Sequence, residues 1–251
     1  MVGQISEFDR ANQKADIVYI RINSIIMELE KDHPFVPYER DQYEAEEMIK
    51  RSKAFYEWAN TRRSVRDFSD KPVPKEVMEH LIMTGSTAPS GAHKQPWTFC
   101  LISNAELKSK LRELAEEEER KSYGGRMSDE WLKDLEPLGT DAVKEFIDIA
   151  PWVVIVMKRP YELDENGTKH QNYYVNESVG LAAGFFLTAV HHAGLVALTH
   201  TPSPMNFIAK ALERPENERP FLLIPVGYPA KNVQVPDLER KSKQDVIEYY
   251  E

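Results

Sequence analysis

Two short motifs decide the fold: RRSVR at Arg62–Arg66 and TAPSGAHKQPW at Thr87–Trp97, with a helix predicted between them. The first motif places three guanidinium groups within five residues of a chain that is acidic overall. Guanidinium forks bind phosphate oxygens in pairs, and the hydroxyl of Ser64 adds one more donor. The motif therefore indicates a phosphate site. A solvated basic patch is the alternative, and a short basic run taken alone more often forms one.

The second motif predicts an exposed turn. Pro89, Ser90 and Gly91 are residue types that tight turns prefer, and such a turn leaves backbone N–H and C=O groups free. Free backbone groups of this kind can recognise the polar edge of a planar ring system. An ordinary tight turn before a strand is the simpler interpretation of this motif by itself.

Hydrophobic periodicity around the motifs predicts a mixed fold. Helical patterns cover four segments: Tyr43–Asn60, Pro74–Thr87, Ala105–Arg120 and Asn176–Gly194. Short apolar runs predict three buried strands: Thr98–Ile102, Ala150–Met157 and Phe221–Val226. The predicted core positions in the first two helices are Met48, Phe55, Trp58, Val77, Leu81 and Ile82. Because long insertions separate the strands, we expect the α+β class and not a doubly wound α/β fold.

Three segments have unusual compositions. Asn176–Gly194 is apolar nearly all round, which predicts a helix buried at the centre of the protein or in a subunit contact. Lys121–Thr140 contains three glycines and a proline and has no long apolar face, so we expect a mobile excursion. Pro229–Glu251 has few apolar residues and is expected to lie over another surface.

Composition excludes several classes of function. The chain has 251 residues, 41% of them hydrophobic and 29% charged, which is typical of a globular protein with one sizeable core. A net charge of −9 disfavours binding to nucleic-acid backbones and to anionic membranes. The single cysteine, Cys100, excludes an intrachain disulfide and is typical of a reduced compartment. No cysteine and histidine cluster has zinc-ligand spacing, and no glycine-rich GxGxxG or Walker A motif is present.

The predicted organisation is an N-terminal arm over residues 1–42 and a single domain over residues 43–251. In the arm, Asp16–Lys31 could be a short helix or strand, whereas the two prolines of His33–Arg40 predict an extended segment. The sequence has no apolar run of roughly 18 residues. Its start also lacks the pattern of a signal peptide. We therefore expect a soluble, cytoplasmic protein without a membrane span.

In combination, RRSVRDF, a proline-started helix, APSGAHKQPW and a strand resemble the nitroreductase flavoprotein superfamily, over roughly residues 43–245. The resemblance implies a central, mostly antiparallel sheet flanked by helices. It also implies an intertwined homodimer that holds FMN at the subunit interface. The residues that it implies for FMN binding are Arg62, Arg63, Ser64, Arg66, Pro89, Ser90, Gly91, Thr199, His200, Thr201 and Arg240.

Within the superfamily, further features are similar to the iodotyrosine deiodinase family. PSGAH matches the flavin loop of that family, which puts the Ala92 amide near the phenolate oxygen of the substrate. ALTHTP matches the segment that puts Thr201 at flavin N5, and PVGYP and VPDLERK match the C-terminal segment. Glu119, Tyr123 and Lys144 match the side chains that hold the amino-acid zwitterion.

The zwitterion assignment is chemically sound, although the residues alone leave it open. An ammonium group needs an anion such as Glu119, and a carboxylate needs a cation such as Lys144. Glu119 and Tyr123 are four residues apart, so a helix would place them on one face. Three glutamates precede Glu119, however, and a solvated helix face or a surface lysine would explain the same pattern.

The implied reaction is FMN-dependent reductive dehalogenation of 3-iodotyrosine and other halotyrosines to tyrosine and halide, with electrons from an external donor or reductase. Ala92 and Thr201 are the implied catalytic residues. The Ala92 amide would contact the phenolate oxygen of the substrate, and the Thr201 hydroxyl at flavin N5 would favour one-electron steps. A lid at about residues 116–140 would close over the substrate. Three alternatives stay open: an NAD(P)H-dependent nitro or quinone reductase, the flavin-cleaving enzyme of benzimidazole synthesis, and a non-catalytic FMN-binding or halotyrosine-binding protein.

Overall fold

The computed structural model describes residues 33–251, so the predicted element at Asp16–Lys31 lies outside the described residues. The chain divides into two compact units, Met1–Ser52 and Lys53–Glu251. In the first unit, residues 34–44 contain no helix or strand. Helix α1 (Ala45–Asn60) begins in the first unit and ends in the second.

A four-stranded sheet forms the centre of the second unit. Its strands are β1 (Trp97–Ile102), β2 (Trp152–Lys158), β5 (Val196–Ala197) and β6 (Arg219–Gly227). All neighbours are antiparallel, in the order β1-β2-β6-β5. The separate hairpin of β3 (Tyr161–Leu163) and β4 (Lys169–Gln171) forms a second sheet. β2 is buried along its length because both faces of the central sheet are covered.

Helices cover the two faces of the sheet. On one face, α2 (Lys75–Ser86) and α6 (Val175–His192) pack against Val154 and Val156 of β2. On the other, α3 (Ala105–Lys121), α5 (Phe146–Ile149) and α7 (Asn206–Ala211) pack against Val153 and Ile155. Alternate residues of one strand thus enter two different hydrophobic clusters, as the period of a β-strand requires. The predicted α+β fold with a central antiparallel sheet flanked by helices is confirmed.

The predicted elements agree with the observed ones to within two residues at each end. Five short elements outside the excursion carried no prediction: β3, β4, β5, α5 and α7. Each is too short for a hydrophobic period to show in the sequence. In α2, Leu81 is buried as predicted, and Val77 and Ile82 are half-buried against the same cluster.

The predicted core positions of α1 are wrong in the described chain. Met48 is 53% exposed and Phe55 is 60% exposed. Trp58 is half-buried, since its ring stacks on His191 at a centroid distance of 4.8 Å. α6 is not enclosed by its own chain, because Leu181 and Phe185 are exposed; of the two predicted environments, the centre of the protein is therefore excluded for this face and a subunit contact stays a prediction. A periodic pattern identifies an apolar face but not the molecule that covers it.

The excursion after α3 contains regular structure. A π-helical turn (Ser122–Arg126) is followed by α4 (Asp129–Leu135) and a 3-10 turn (Glu136–Leu138). By contrast, the only helical element of the C-terminal segment after β6 is a short 3-10 helix, Lys243–Asp245, and this segment lies within the described residues. Among the described residues, no helix is long and apolar enough to cross a membrane.

Candidate active site

The RRSVR motif lies along the outer edge of the central sheet. Ser64 forms a parallel bridge with Ala197 of β5, and the Val65 N–H donates to the Ala197 carbonyl over 3.2 Å. The side chain of Val65 is buried. Since side chains alternate along an extended segment, Ser64 and Arg66 point to the other side. The pairing with β5 therefore places the polar side chains of Ser64 and Arg66 on the same side of the segment.

One cavity of about 440 Å³ brings together much of the predicted phosphate site. Arg62, Arg63, Ser64, Arg66, Thr199 and Arg240 line it, with Leu138, Leu198, Pro236, Leu238 and Glu239. Arg240 donates from Nη1 to the carbonyl and side-chain oxygens of Asn60, at 3.1 and 3.0 Å, and from Nη2 to the Arg62 carbonyl at 2.8 Å. A guanidinium donor of Arg63 is hydrogen-bonded to the Pro236 carbonyl. The C-terminal segment is thereby fastened to the motif.

This arginine cradle (Arg62, Arg63, Arg66 and Arg240) carries positive charge that no carboxylate of residues 33–251 neutralises by an ion pair. Burial lowers the pKa of Arg62, and the positive charges of Arg240 and Arg63 lower it further. Bringing guanidinium groups together without an anion is unfavourable, so the cradle favours a bound anion. Its chemistry fits the phosphate of FMN.

The segment after β5 places threonines and a histidine on opposite sides. The N–H of His200 donates to the Leu223 carbonyl at 2.8 Å, and the Leu223 N–H donates back at 2.9 Å. Thr199 and Thr201 are exposed, whereas the imidazole of His200 packs edge-on against Phe146 at 5.6 Å. Thr199 lines the cavity of the cradle; His200 and Thr201 do not. Any contact of His200 with FMN would therefore come from its backbone.

The loop that contains Pro89, Ser90 and Gly91 has a fixed and unusual backbone. Ala92 and Gln95 have positive φ angles, 48° and 46°. The Ser90 hydroxyl accepts the Gln95 N–H over 2.9 Å, so this side chain serves the loop itself. At Gly91 a Cβ atom would lie 2.8 Å from the Tyr173 carbonyl oxygen, which excludes any larger residue.

The loop and the cradle lie at opposite ends of α6. The Gly91 N–H donates to the hydroxyl of Ser178, in the first turn of the helix. His191, in its last turn, contacts Thr61 beside the cradle, with 3.0 Å between Nε2 and Oγ1. At a rise of 1.5 Å per residue, these two ends are about 20 Å apart. One chain therefore does not bring its own Pro89–Ala92 loop to its own cradle.

Two of the three side chains that were predicted to hold the amino-acid zwitterion form a buried ion pair. Glu119 is 7% exposed and Lys144 is 2% exposed. Glu119 Oε2 lies 3.6 Å from Lys144 Nζ. The amino group of Lys144 also donates to the Thr140 hydroxyl at 3.3 Å and to the Asp141 carbonyl.

Tyr123 lies beside this pair. α3 ends at Lys121, and Tyr123 lies in the π-helical turn that follows. Its hydroxyl donates to the Thr140 carbonyl over 3.2 Å. Burial raises the pKa of Tyr123, and the negative charge of Glu119 raises it further. The structure thus brings the three predicted side chains together, although the prediction assumed a continuous α-helix.

Burial dominates the electrostatics of the pair. It raises the pKa of Glu119, and the charge of Lys144 opposes this shift. Burial likewise lowers the pKa of Lys144, and the charge of Glu119 opposes that shift. Both directions show that water solvates the two charges poorly. Each member of such a buried pair can instead bind the opposite charge of a zwitterion, with the ammonium at Glu119 and the carboxylate at Lys144.

The other glutamates of the run have ordinary roles. Glu117 and Glu118 form ion pairs with Lys121. The alternative interpretation, a solvated helix face, is therefore correct for these two residues and not for Glu119. Glu116 accepts the backbone N–H of Lys144 over 2.9 Å and thereby fixes the lysine's position. Sequence reasoning missed this role of Glu116 and the roles of Thr140 and Asp141, because such contacts have no periodic signature. In residues 33–251, no cluster of three or more His, Cys, Asp or Glu side chains could hold a metal.

Comparison with known proteins identifies the family of the chain. The protein-family model described as "Nitroreductase family" matches residues 59–228 of this chain. The chain belongs to the nitroreductase family. Within this family, it is 57% identical to the iodotyrosine deiodinase of Haliscomenobacter hydrossis, over 86% of this chain and 97% of that protein. It is 47% identical to the iodotyrosine deiodinase of Hydra vulgaris, over 85% of this chain and 79% of that protein.

A solved structure of this nitroreductase family is also similar. It is an oxidised iodotyrosine deiodinase bound to FMN and 3-iodo-L-tyrosine, with a TM-score of 0.67 and 28% identity, covering 78% of this chain and 98% of that one. The resemblance of the motifs to this family is thereby confirmed. The roles of individual residues stay predictions that rest on the geometry above.

Proposed function

We propose that this protein is an FMN-dependent iodotyrosine deiodinase, which reduces 3-iodotyrosine and other halotyrosines to tyrosine and halide. The observation that carries the proposal is the buried Glu119–Lys144 pair beside Tyr123. A nitro or quinone substrate has no ammonium and carboxylate to place there. The names of the relatives and the ligands of the similar solved structure support the same reaction.

The arginine cradle and Ser64 would hold the phosphate of FMN. Reduced FMN supplies the two electrons of the reaction. The carbon–iodine bond breaks and iodide leaves, and a proton taken from water completes the new carbon–hydrogen bond. The balance is therefore one halotyrosine, two electrons and one proton to one tyrosine and one halide. The two electrons would reach the flavin from an external donor or reductase.

The residues of this chain bind and orient the substrate. The substrate ammonium takes the place of Lys144 at Glu119, and the substrate carboxylate takes the place of Glu119 at Lys144. Tyr123 adds a neutral donor. The Ala92 amide would donate to the phenolate oxygen, and the Thr201 hydroxyl would hydrogen-bond to flavin N5 and favour one-electron steps. The segment over residues 116–140 would close over the ring and exclude water.

The proposed active form is a homodimer with FMN at the subunit interface. Its loop and cradle are about 20 Å apart along α6 in one chain, so a second copy would supply the loop. Phe55, Leu181 and Phe185 are exposed apolar residues that a second copy would cover. Isolated surface residues need no explanation, but a continuous apolar groove does. Phe55, Trp58, Leu81 and Phe185 line such a groove beside α6.

Turnover with a chemical reductant tests the proposal. Protein loaded with FMN and reduced by dithionite is mixed with 3-iodotyrosine, and tyrosine and iodide are measured. We expect one tyrosine and one iodide per reduced flavin. In parallel, the oxidised protein receives NADH and a nitroaromatic compound. Nitro reduction without deiodination would favour the general reductase instead. Flavin binding with neither reaction would favour a non-catalytic binding protein.

A further inference from the structure

His200 has an unused hydrogen-bonding group at the edge of the proposed substrate site. Its Nε2 atom is buried and has no hydrogen-bond partner among residues 33–251. The same atom lies 3.7 Å from Glu119 Oε1, slightly beyond hydrogen-bond distance. A buried polar atom without a partner is costly, so a small shift that supplies one is favourable.

The two oxygens of Glu119 face different neighbours. Oε2 faces Lys144, and Oε1 faces His200. Once a substrate ammonium displaces Lys144 from Oε2, the carboxylate needs a second donor to hold its orientation. Resting on the proposed function, we propose that His200 is a positioning residue for Glu119, with its Nε2–H donating to Oε1 in the substrate complex.

The imidazole is suited to this role because it stays neutral. The groups that face it are Glu119, Lys144, Arg66 and the edge of Phe146. Burial, followed by the positive charges of Lys144 and Arg66, lowers the pKa of His200 to about 3. A neutral ring donates one hydrogen bond without adding a positive charge that would repel the substrate ammonium.

The backbone of His200 also ties this contact to the cofactor side. Its two hydrogen bonds to Leu223 fix it in register with β6. Thr199 and Thr201, on either side in the chain, are exposed. One short segment would therefore orient the Glu119 carboxylate through His200 and offer the hydroxyls of Thr199 and Thr201 to the flavin. This role differs from the flavin contact that the sequence motif implied for His200.

A pair of substrates separates positioning of Glu119 from a general structural effect. 3-Iodotyrosine carries the zwitterion, whereas 2-iodophenol has the same reacting bond and lacks it. For His200→Phe, we expect the Kd of 3-iodotyrosine to rise about tenfold or more, since a hydrogen bond to a charged group is lost. The rate with 2-iodophenol should fall far less than the affinity for 3-iodotyrosine, because 2-iodophenol has no ammonium group for Glu119 to hold. His200→Gln keeps a donor and should restore most of the affinity.

Several results would overturn the inference. One is an unchanged Kd in His200→Phe, and another is an equal loss with both substrates. The double variant His200→Phe/Glu119→Gln must bind no more weakly than Glu119→Gln, because the histidine acts through the carboxylate. If His200→Phe does not fold, the pH dependence of Kd in wild type and His200→Gln decides. A transition near pH 6.5 that only the wild type shows would mean that His200 titrates, contrary to the inference. Absence of deiodination by the wild type, by contrast, would reject the proposed function.

Discussion

At the residue scale, the Glu119 carboxylate lies between two nitrogen-bearing side chains, Lys144 at 3.6 Å and His200 at 3.7 Å. Breaking a buried ion pair by removing one partner leaves an uncompensated charge and is strongly unfavourable. Replacing that partner by another charge of the same sign avoids this cost. The proposed substrate does so at both ends of the pair. Molecules with only one of the two charges should therefore bind more weakly than the zwitterion.

Neutralising Glu119 should weaken substrate binding selectively. For Glu119→Gln we expect the Kd of 3-iodotyrosine to rise about 10- to 100-fold, because the ammonium loses its anion. FMN binding should not change, since the carboxylate does not line the cradle. Titration of the flavin fluorescence with 3-iodotyrosine measures the change. Glu117→Gln is the matched control on the same helix and should bind like the wild type. Equal effects of the two substitutions would contradict the assignment.

The pH dependence of binding should have two limbs. Glu119 must be ionised to hold the ammonium, and its pKa is raised by burial. Affinity is therefore full above this raised pKa and is lost as the pH falls through it, at a higher pH than for an ordinary glutamate near 4.5. Lys144 must be protonated, and its pKa is lowered. Affinity is therefore also lost as the pH rises through that value, below the ordinary 10.5.

Kd measured across this range checks both limbs. The acid limb should be absent in Glu119→Gln, which has no carboxylate to protonate. An acid limb at or below the ordinary glutamate value, or one that persists in the variant, would show that another group controls binding.

Single residues of the site were predictable only where a motif carried them. The arginine cradle follows from RRSVR, because guanidinium chemistry alone indicates an anion site. Glu119 does not follow from its sequence context, since its neighbours in the run are solvated. Only the resemblance distinguished it. The contact between His200 and Glu119 joins residues far apart in the chain, and no local pattern encodes such a contact.

At the element scale, burial explains which segments could be predicted. β2 is a continuous apolar run because both of its faces are covered, and such runs are conspicuous in a sequence. The π-helical turn after α3 has no comparable signal. Its Tyr123 was placed on the face of Glu119 by assuming an α-helical spacing, and the turn keeps it there by a different geometry. Length and burial thus decided which elements were visible in the sequence.

The excursion after α3 should respond to substrate. Gly124, Gly125 and Gly139 stand in open space, and the tryptic sites at Arg126 and Lys133 are exposed. We expect trypsin to cut there in the FMN-loaded protein and to be slowed several-fold by 3-iodotyrosine, because substrate at Glu119 and Tyr123 would order the segment. Mass spectrometry of the fragments measures the rates.

Cleavage at the exposed Lys169, in the β3–β4 hairpin, is the internal control and should not depend on substrate. Equal protection at all of these sites would indicate global stabilisation. No protection at Arg126 and Lys133 would mean that the excursion is not a lid.

At the scale of the whole molecule, the exposed apolar residues share one explanation. Helical periodicity correctly identified Phe55 as part of an apolar face, yet Phe55 is exposed in the chain. The same is true of Leu181 and Phe185 on α6. In the proposed homodimer, a second copy would cover these residues. The prediction of burial would then hold for the dimer although it is wrong for the single chain.

Mixing two inactive variants tests whether each site is shared between subunits. Arg62→Ala/Arg63→Ala removes cradle charge, and Ala92→Pro removes the loop amide. Each homodimer should be nearly inactive. In a shared site, a mixed dimer combines the intact cradle of one variant with the intact loop of the other. Random re-association of equal amounts should then restore about a quarter of wild-type deiodination, since half of the dimers carry one intact site each. A mixture that stays inactive, although mixed dimers form, would place the loop and the cradle of each site in the same chain.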